Sequence, residues 1–202
     1  MNATRDARGP RAPEDALLAV DVQNDFLPGG ALAVPHGDAV LRPLNAWLRV
    51  FDDRGCLTAA SRDWHPAGHC SFAARGGPWP AHCVAGSAGA AFAAGLELPA
   101  RCRIIDKGTC ADREAYSAFA GTTLAAELAA AGVRRLWLGG LATDYCVAAT
   151  ARDALALGLE VVVLCDAVRA VDATAGDGAR ALAALAAEGA ALRAGGPGER
   201  RP

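Results

Sequence analysis

The residues able to do chemistry gather where strand-like runs give out. Asp21 interrupts the first apolar run near its end, within Val20-Asp21-Val22-Gln23-Asn24-Asp25-Phe26. A carboxylate there is costly to bury unless it is paired or at work. Lys107 directly follows a later run, Arg103 to Asp106. It is the only lysine in a chain whose other formally charged basic residues are all arginine. Cys146 lies at the end of Gly139-Gly140-Leu141-Ala142-Thr143-Asp144-Tyr145-Cys146, in the first turn of a helix expected from Thr143. The free N–H groups and partial positive charge of a helix start favour a thiolate and can hold an oxyanion. Placed together, Asp21 takes the thiol proton and returns it to a leaving amine, with Lys107 keeping the anions ionised. On residue types alone, a packing cysteine, a turn-capping aspartate and a solvated lysine stay open as alternatives.

A second constellation suits a metal. Asp63 and His65 are two apart, so in an extended segment both point the same way. His82 follows Pro78-Trp79-Pro80. One carboxylate and two imidazoles can hold Zn²⁺, Fe²⁺ or Mn²⁺, with positions left for water or substrate. His69 is open between a further ligand, a hydrogen-bonding neighbour and a surface residue. So is the plainer alternative that Asp63 caps a turn among ordinary loop histidines.

These residues need a frame. Ala16–Val22, Cys56–Ala60, Arg103–Asp106, Arg135–Gly139, Leu159–Cys165 and the short Ala190–Arg193 read as strands. Helical spacing marks Asp38 to Gly55, with Asp38 as N-cap and Gly55 as stop. It also marks Thr122–Ala131 closed by Gly132, Thr143–Leu157 closed by Gly158, and Thr174–Glu188. Alternating strands and helices predict a single α/β domain, 15–194, with a mainly parallel sheet and helices on both faces. In such a three-layer, Rossmann-like arrangement ligands bind at the carboxyl ends of the strands. The segment from Ser61 to about Ala100 is rich in Gly, Pro, His and Trp, and loops that long are usually functional. Residues 1–14 and 195–202 read as disordered tails.

Composition excludes several classes. The 202 residues carry a formal net charge of −2, which suggests neither nucleic acid nor an anionic membrane as partner. No apolar run is long enough to span a bilayer, and the Arg-containing start lacks the apolar core of a secretory signal. The seven cysteines, odd in number and without a CxxC pair, point to a reduced, cytoplasmic protein. Self-association is open.

Five motifs then appear in order. They are Asp21-Val22-Gln23-Asn24-Asp25-Phe26 with Pro28 to Leu32, Arg62-Asp63-Trp64-His65-Pro66, Gly77 to Cys83, Lys107-Gly108 with Glu114 to Phe119, and Gly140 to Val147. Together they resemble the nicotinamidases, within the isochorismatase-like cysteine hydrolases, from about Ala16 to Ala191. The resemblance implies a catalytic Asp21, Lys107 and Cys146, and one divalent ion, zinc first, on Asp63, His65 and His82. It implies an oxyanion hole from the N–H groups of Ala142 and Cys146, with a cis peptide between Leu141 and Ala142. It places Phe26, Trp79, Tyr116 and Leu141 against the substrate. Leu141 stands where Val or Ile is frequent.

The implied activity is hydrolysis of nicotinamide to nicotinate and ammonia through a cysteine thioester, in NAD salvage, with pyrazinamide as another substrate. The alternatives are a related amidohydrolase acting on carbamoyl or other small amides, a metal-bound water as nucleophile with Cys146 a bystander, and a binding domain on an inactive scaffold. The last needs a missing catalytic position, and none is missing.

Overall fold

The computed structural model describes residues 9–197. Six strands form one parallel sheet in the order β3-β2-β1-β4-β5-β6. They are β1 (Asp15–Val20), β2 (Leu57–Asp63), β3 (Arg103–Lys107), β4 (Arg135–Leu141), β5 (Glu160–Arg169) and β6 (Ala191–Arg193). Among the described residues four α-helices accompany them, α1 (Leu41–Asp53), α2 (Leu124–Ala130), α3 (Ala148–Ala156) and α4 (Asp177–Ala187). The expected α/β class, parallel pairing and covering of both faces are all present.

The alternation of β1 sorts the two cores. Ala16, Leu18 and Val20 face a cluster with Leu124 and Leu128 of α2, Ala151 and Ala154 of α3, and Leu185 of α4. Leu17 and Ala19 face the other cluster, with Leu44, Trp47, Leu48 and Phe51 of α1 and Trp137 of β4. Every residue of β1 is buried, as a central strand covered on both sides must be. The chain runs outward from β1 through β2 to β3, then returns to β4 beside β1. The strand order therefore reverses between β1 and β4, and a crevice opens at their carboxyl ends.

That reversal demands a close approach. Gly140, at φ +123°, lies against the backbone of Val20, where a Cβ would stand 2.0 Å from the Val20 carbonyl oxygen. Only glycine lets the end of β4 sit this near the end of β1.

The structure moves several expected boundaries. Asp38 does not cap α1. It sits in a 3₁₀ turn, Gly37–Val40, that runs straight into the helix and makes no side-chain cap bond. Gly55 does close α1, at φ +70°. The helix expected from Thr143 begins as a π-helical turn, Thr143–Val147, before α3. β5 continues past Cys165 to Arg169, because its later residues still pair with the end of β4 across a register shift at Leu138/Gly140. Of the expected tails, residues 1–8 and 198–202 lie outside the described residues. Residues 10–14 run against the body, with the Pro10 carbonyl accepting a bond from Arg54 and the Glu14 carbonyl accepting the N–H groups of Arg134 and Arg135. Among the described residues, no helix is long and apolar enough to cross a membrane.

The amino end of the sheet is held by a buried ion pair. Asp15 takes two bonds from Arg135, at 2.5 and 3.0 Å, one from the Trp137 indole at 2.9 Å and one from the Arg11 N–H at 2.7 Å. Burial raises the Asp15 pKa, but these bonds outweigh it and hold the carboxyl below its usual range. Its stabilisation is therefore present above the unfolded pKa, about 3.9, and is lost as pH falls through the lower folded value. Asp15→Ala should cost about 3 kcal/mol at neutral pH. Urea unfolding across pH should show that deficit shrinking below about pH 4.

Candidate active site

Four neighbouring strands deliver one charged cluster. Asp21 follows β1 directly, turned out of the strand by a left-handed backbone at φ +49°. Asp63 and Lys107 are the last residues of β2 and β3 and stand opposite one another in register. Cys146 sits in the π turn beyond β4. Asp21, Asp63, Lys107 and Cys146 are all buried.

Lys107 is the chain's only lysine, and its ammonium is the hub. It lies 2.9 Å from Asp21 Oδ2, 2.5 Å from Asp63 Oδ1, 3.0 Å from the Ala115 carbonyl and 3.4 Å from Cys146 Sγ. Burial works against the ammonium, yet the carboxylates of Asp21 and Asp63 and then Cys146 raise its pKa well above the usual lysine value. Lys107 thus stays charged and is no proton carrier.

The two carboxylates are pushed apart. For Asp21, burial is the largest effect and wins, so its pKa is raised although Lys107 opposes this. Burial also acts on Asp63, but Lys107 and His65 outweigh it and hold that carboxyl well below the usual range. Two acids beside one lysine therefore take different tasks. Asp63 is a permanent anion, and Asp21 is the one able to accept a proton. Ser61 steadies Asp21 through a 2.7 Å bond to Oδ1.

Cys146 departs from the sequence expectation. A helix start was expected to favour the thiolate. Burial instead pushes the Cys146 thiol well above its ordinary value. Lys107 opposes, while the charges of Asp21 and Asp63 and the thiol's own bond to Asp21 push it higher still. The helix-start effect is outweighed because Sγ is enclosed beside two carboxylates, their oxygens within 4.8 Å.

The peptide between Leu141 and Ala142 is cis, as the resemblance implied. In the turn that follows, Tyr145 and Val147 both donate to the Ala142 carbonyl, each at 3.1 Å, and Cys146 between them does not.

Asp63 looks two ways. Oδ1 meets Lys107, and Oδ2 faces His65 Nε2 at 3.5 Å and His82 Nε2 at 4.0 Å. The far nitrogens are tied, His65 Nδ1 to the Gly108 carbonyl at 2.9 Å and His82 Nδ1 to the Pro80 carbonyl at 2.8 Å. A carbonyl at Nδ1 accepts that nitrogen's N–H, so both rings turn Nε2 inward toward Asp63, the orientation that metal-binding histidines adopt. Ligand atoms around a tetrahedral zinc stand about 3.4 Å apart. The convergence of Asp63, His65 and His82 within 4.8 Å fits a single small divalent ion. Gln23 grips the backbone of Asp63 on both sides, accepting its N–H at 2.8 Å and donating to its carbonyl at 2.8 Å.

His69, left open by the sequence, is stacked on His65 with centroids 4.0 Å apart. Its Nε2 faces the Arg113 carbonyl at 3.1 Å and its Nδ1 the Ser71 hydroxyl at 2.7 Å. Both nitrogens are engaged, and His69 packs against His65 without joining the converging donor set.

These groups open on a cleft walled by Phe26, Trp79, Tyr116 and Tyr145. Trp79 donates to the Tyr116 hydroxyl at 3.0 Å and meets Tyr145 edge-on, 5.2 Å between centroids. Phe26, Trp79 and Tyr116 line the cleft as expected. Leu141 does not and must be corrected. It ends β4 with its side chain in the core on the α1 side, packed toward Gly37, and is 1% exposed. Strand alternation sends residue 141 inward. Reading the motif by sequence position missed Tyr145, Leu32, Val34 and Val171. Tyr145 had a signal, since it is the aromatic residue next to Cys146. Val171 had none. It belongs to a distant loop that Asp144 draws in by accepting the N–H groups of Val171 and Asp172 at 3.0 and 2.9 Å.

Known proteins resemble the chain over nearly its whole length. Residues 15–194 match the isochorismatase domain family. The nicotinamidase of Escherichia coli strain K12 is 40% identical over 201 residues, covering 89% of this chain and 94% of that protein. The structure of a Pyrococcus horikoshii pyrazinamidase in complex with zinc superposes with a TM-score of 0.87 at 48% identity, covering 91% of this chain and all of that one. A protein from L. infantum in complex with nicotinate follows, with a TM-score of 0.83, 39% identity and coverage of 93% and 96%. By the extent of these matches and by its own sheet order, the chain belongs to the isochorismatase-domain hydrolases, among relatives that are nicotinamidases.

Proposed function

We propose that the chain is a nicotinamidase, converting nicotinamide to nicotinate and ammonia in NAD salvage. The observation that carries the reading is that one carboxylate, Asp63, joins a buried cysteine cluster to a convergent Asp/His set on the floor of an aromatic-walled cleft. A flat heteroaromatic ring suits the walls, and a carboxamide on that ring suits the cysteine.

The ring enters between Phe26, Trp79, Tyr116 and Tyr145, which orient it by edge and face contacts. Asp63, His65 and His82 would hold one divalent ion, zinc by preference with Fe²⁺ or Mn²⁺ also suited to the donors, and it supplies Lewis acidity toward a ring nitrogen. The Cys146 thiol is protonated at rest, so its proton passes to Asp21 as Sγ bonds to the carboxamide carbon. The N–H groups of Ala142 and Cys146 hold the oxyanion. Asp21 gives the proton to the amide nitrogen, the C–N bond breaks and ammonia leaves. Water then attacks the thioester, losing a proton to Asp21. The C–S bond breaks, nicotinate forms and the proton returns to sulfur. Lys107 stays protonated throughout and offsets the negative charge around it. Pyrazinamide presents the same ring nitrogen and carboxamide and is a second substrate on this reading.

Ammonia release from nicotinamide tests the reaction. Cys146→Ala should lower turnover by at least about 10³-fold with the fold intact by circular dichroism. Unchanged release would end the cysteine mechanism. EDTA should lower activity, and Zn²⁺, Fe²⁺ or Mn²⁺ should restore it.

A structural variant tests the metal set from another side. Gly108 is left-handed at φ +62°, and a Cβ there would stand 2.5 Å from His65 Cε1. Gly108→Ala should push the ring aside and lower zinc affinity by roughly ten-fold or more. Competition with a chromophoric chelator reads this directly, and parental affinity would remove His65 from the set.

A further inference from the structure

Cys83 links the two histidines of the metal set. It follows His82 in the chain, and its carbonyl accepts the His65 N–H at 3.0 Å. Its backbone is left-handed at φ +45°, a region that disfavours any residue with a Cβ. Something must hold it there. Its N–H is taken by Asp25 Oδ2 at 2.7 Å.

Asp25 is itself fixed. Its N–H donates to the Gly89 carbonyl at 3.0 Å, its carbonyl accepts the Leu32 N–H at 2.9 Å, and Oδ1 accepts the Ala31 N–H at 3.3 Å. A Cβ on Gly89 would fall 2.1 Å from Oδ2, so the 84–92 loop closes over the carboxylate only because residue 89 is glycine. Asp25 neither lines the cleft nor belongs to the converging donor set.

We propose that Asp25 is a positioning residue for the metal site. Its carboxylate holds Cys83 in the left-handed conformation that aims His82 at Asp63 and His65. The inference rests on the reading of Asp63, His65 and His82 as metal ligands. It adds that the His82 position is set from a side chain remote from the ion. A turn cap of purely structural value would change stability without changing zinc affinity in proportion.

The test measures zinc affinity by chelator competition, alongside urea unfolding of the metal-free protein. The parent should bind one zinc, and His82→Ala should weaken it strongly. Asp25→Ala should weaken zinc roughly 10- to 100-fold at a metal-free unfolding midpoint close to the parent's. Adding Cys83→Gly removes the cost of the left-handed backbone, so the double variant should recover part of the loss. If Asp25→Ala does not fold, Asp25→Asn serves instead. It keeps one acceptor for Cys83 but sets an NH₂ against the Ala31 N–H, and should bind zinc several-fold more weakly than the parent. Parental affinity in whichever Asp25 variant folds overturns the proposal and leaves the metal reading standing. So does a loss in Asp25→Ala that Cys83→Gly fails to reduce. A parent that binds no zinc overturns the metal reading and this proposal with it.

Discussion

A single buried ammonium holds the site together. Without Lys107, two carboxylates and a thiol would share one enclosed space, and burying charges of one sign is prohibitive. With it, Asp21 and Asp63 are both in ion-pair reach. The pairing has a geometric demand, because the ammonium has three protons and meets four neighbours, Asp21, Asp63, the Ala115 carbonyl and Cys146. An arginine could not serve. Its planar fork fixes the donor directions, whereas a lysine is a compact charge that several acceptors can surround. The one lysine among the chain's 20 basic residues is the one buried here.

The remaining fold reads as the means of bringing four strand ends to that ammonium. β3 supplies Lys107 and β2 Asp63, while Asp21 follows the end of β1 and Cys146 the turn beyond β4. The register of β2 with β3 sets Asp63 opposite Lys107, and the close approach of Gly140 to Val20 brings the Cys146 turn up to Asp21. Parallel pairing matters because all four carboxyl ends then lie on one edge. The long connection between β2 and β3 gains a place to deposit His65, His82 and Trp79 over the same edge. The amino ends of the strands are free for purely structural devices such as the Asp15–Arg135 pair.

Much of this was legible in the sequence, for identifiable reasons. Strand and helix periodicity found the six strands and four helices, since nearly every one is buried on at least one face. Asp21 and Lys107 stood out as charges at the ends of apolar runs. The Asp63/His65 pair followed from strand alternation, which the extension of β2 to Asp63 preserves. What was not legible depended on details that periodicity does not carry. Helix periodicity does not separate a π turn from an α turn, so the start of the Cys146 helix was misread. A helix-start argument knows nothing of enclosure, so the thiol was expected to ionise more easily than it does. Leu141 was placed in the pocket by motif position, though its parity along β4 turns it to the core. Val171 reaches the cleft through Asp144 backbone bonds, a contact between segments about 27 residues apart in sequence that no local pattern encodes.

The protonated thiol changes how the cluster must work. A cysteine that rests as a thiolate needs only a stabilising cation. Cys146 has a cation, but it is also buried beside two carboxylates, and their effects favour the proton on sulfur. Proton removal and carbon–sulfur bond formation then proceed together, because Lys107 only partly offsets what a free thiolate would meet from burial, Asp21 and Asp63. This gives meaning to the opposite shifts of the two aspartates. If both were held low, neither would accept the proton. If both were raised, Asp63 would lose its charge and Lys107 one of its anchors. The ammonium and the bond from Ser61 favour the ionised form of Asp21, while burial outweighs them and raises its affinity for a proton. Asp63, facing Lys107 on one side and two imidazoles on the other, remains the fixed charge against which that transfer runs.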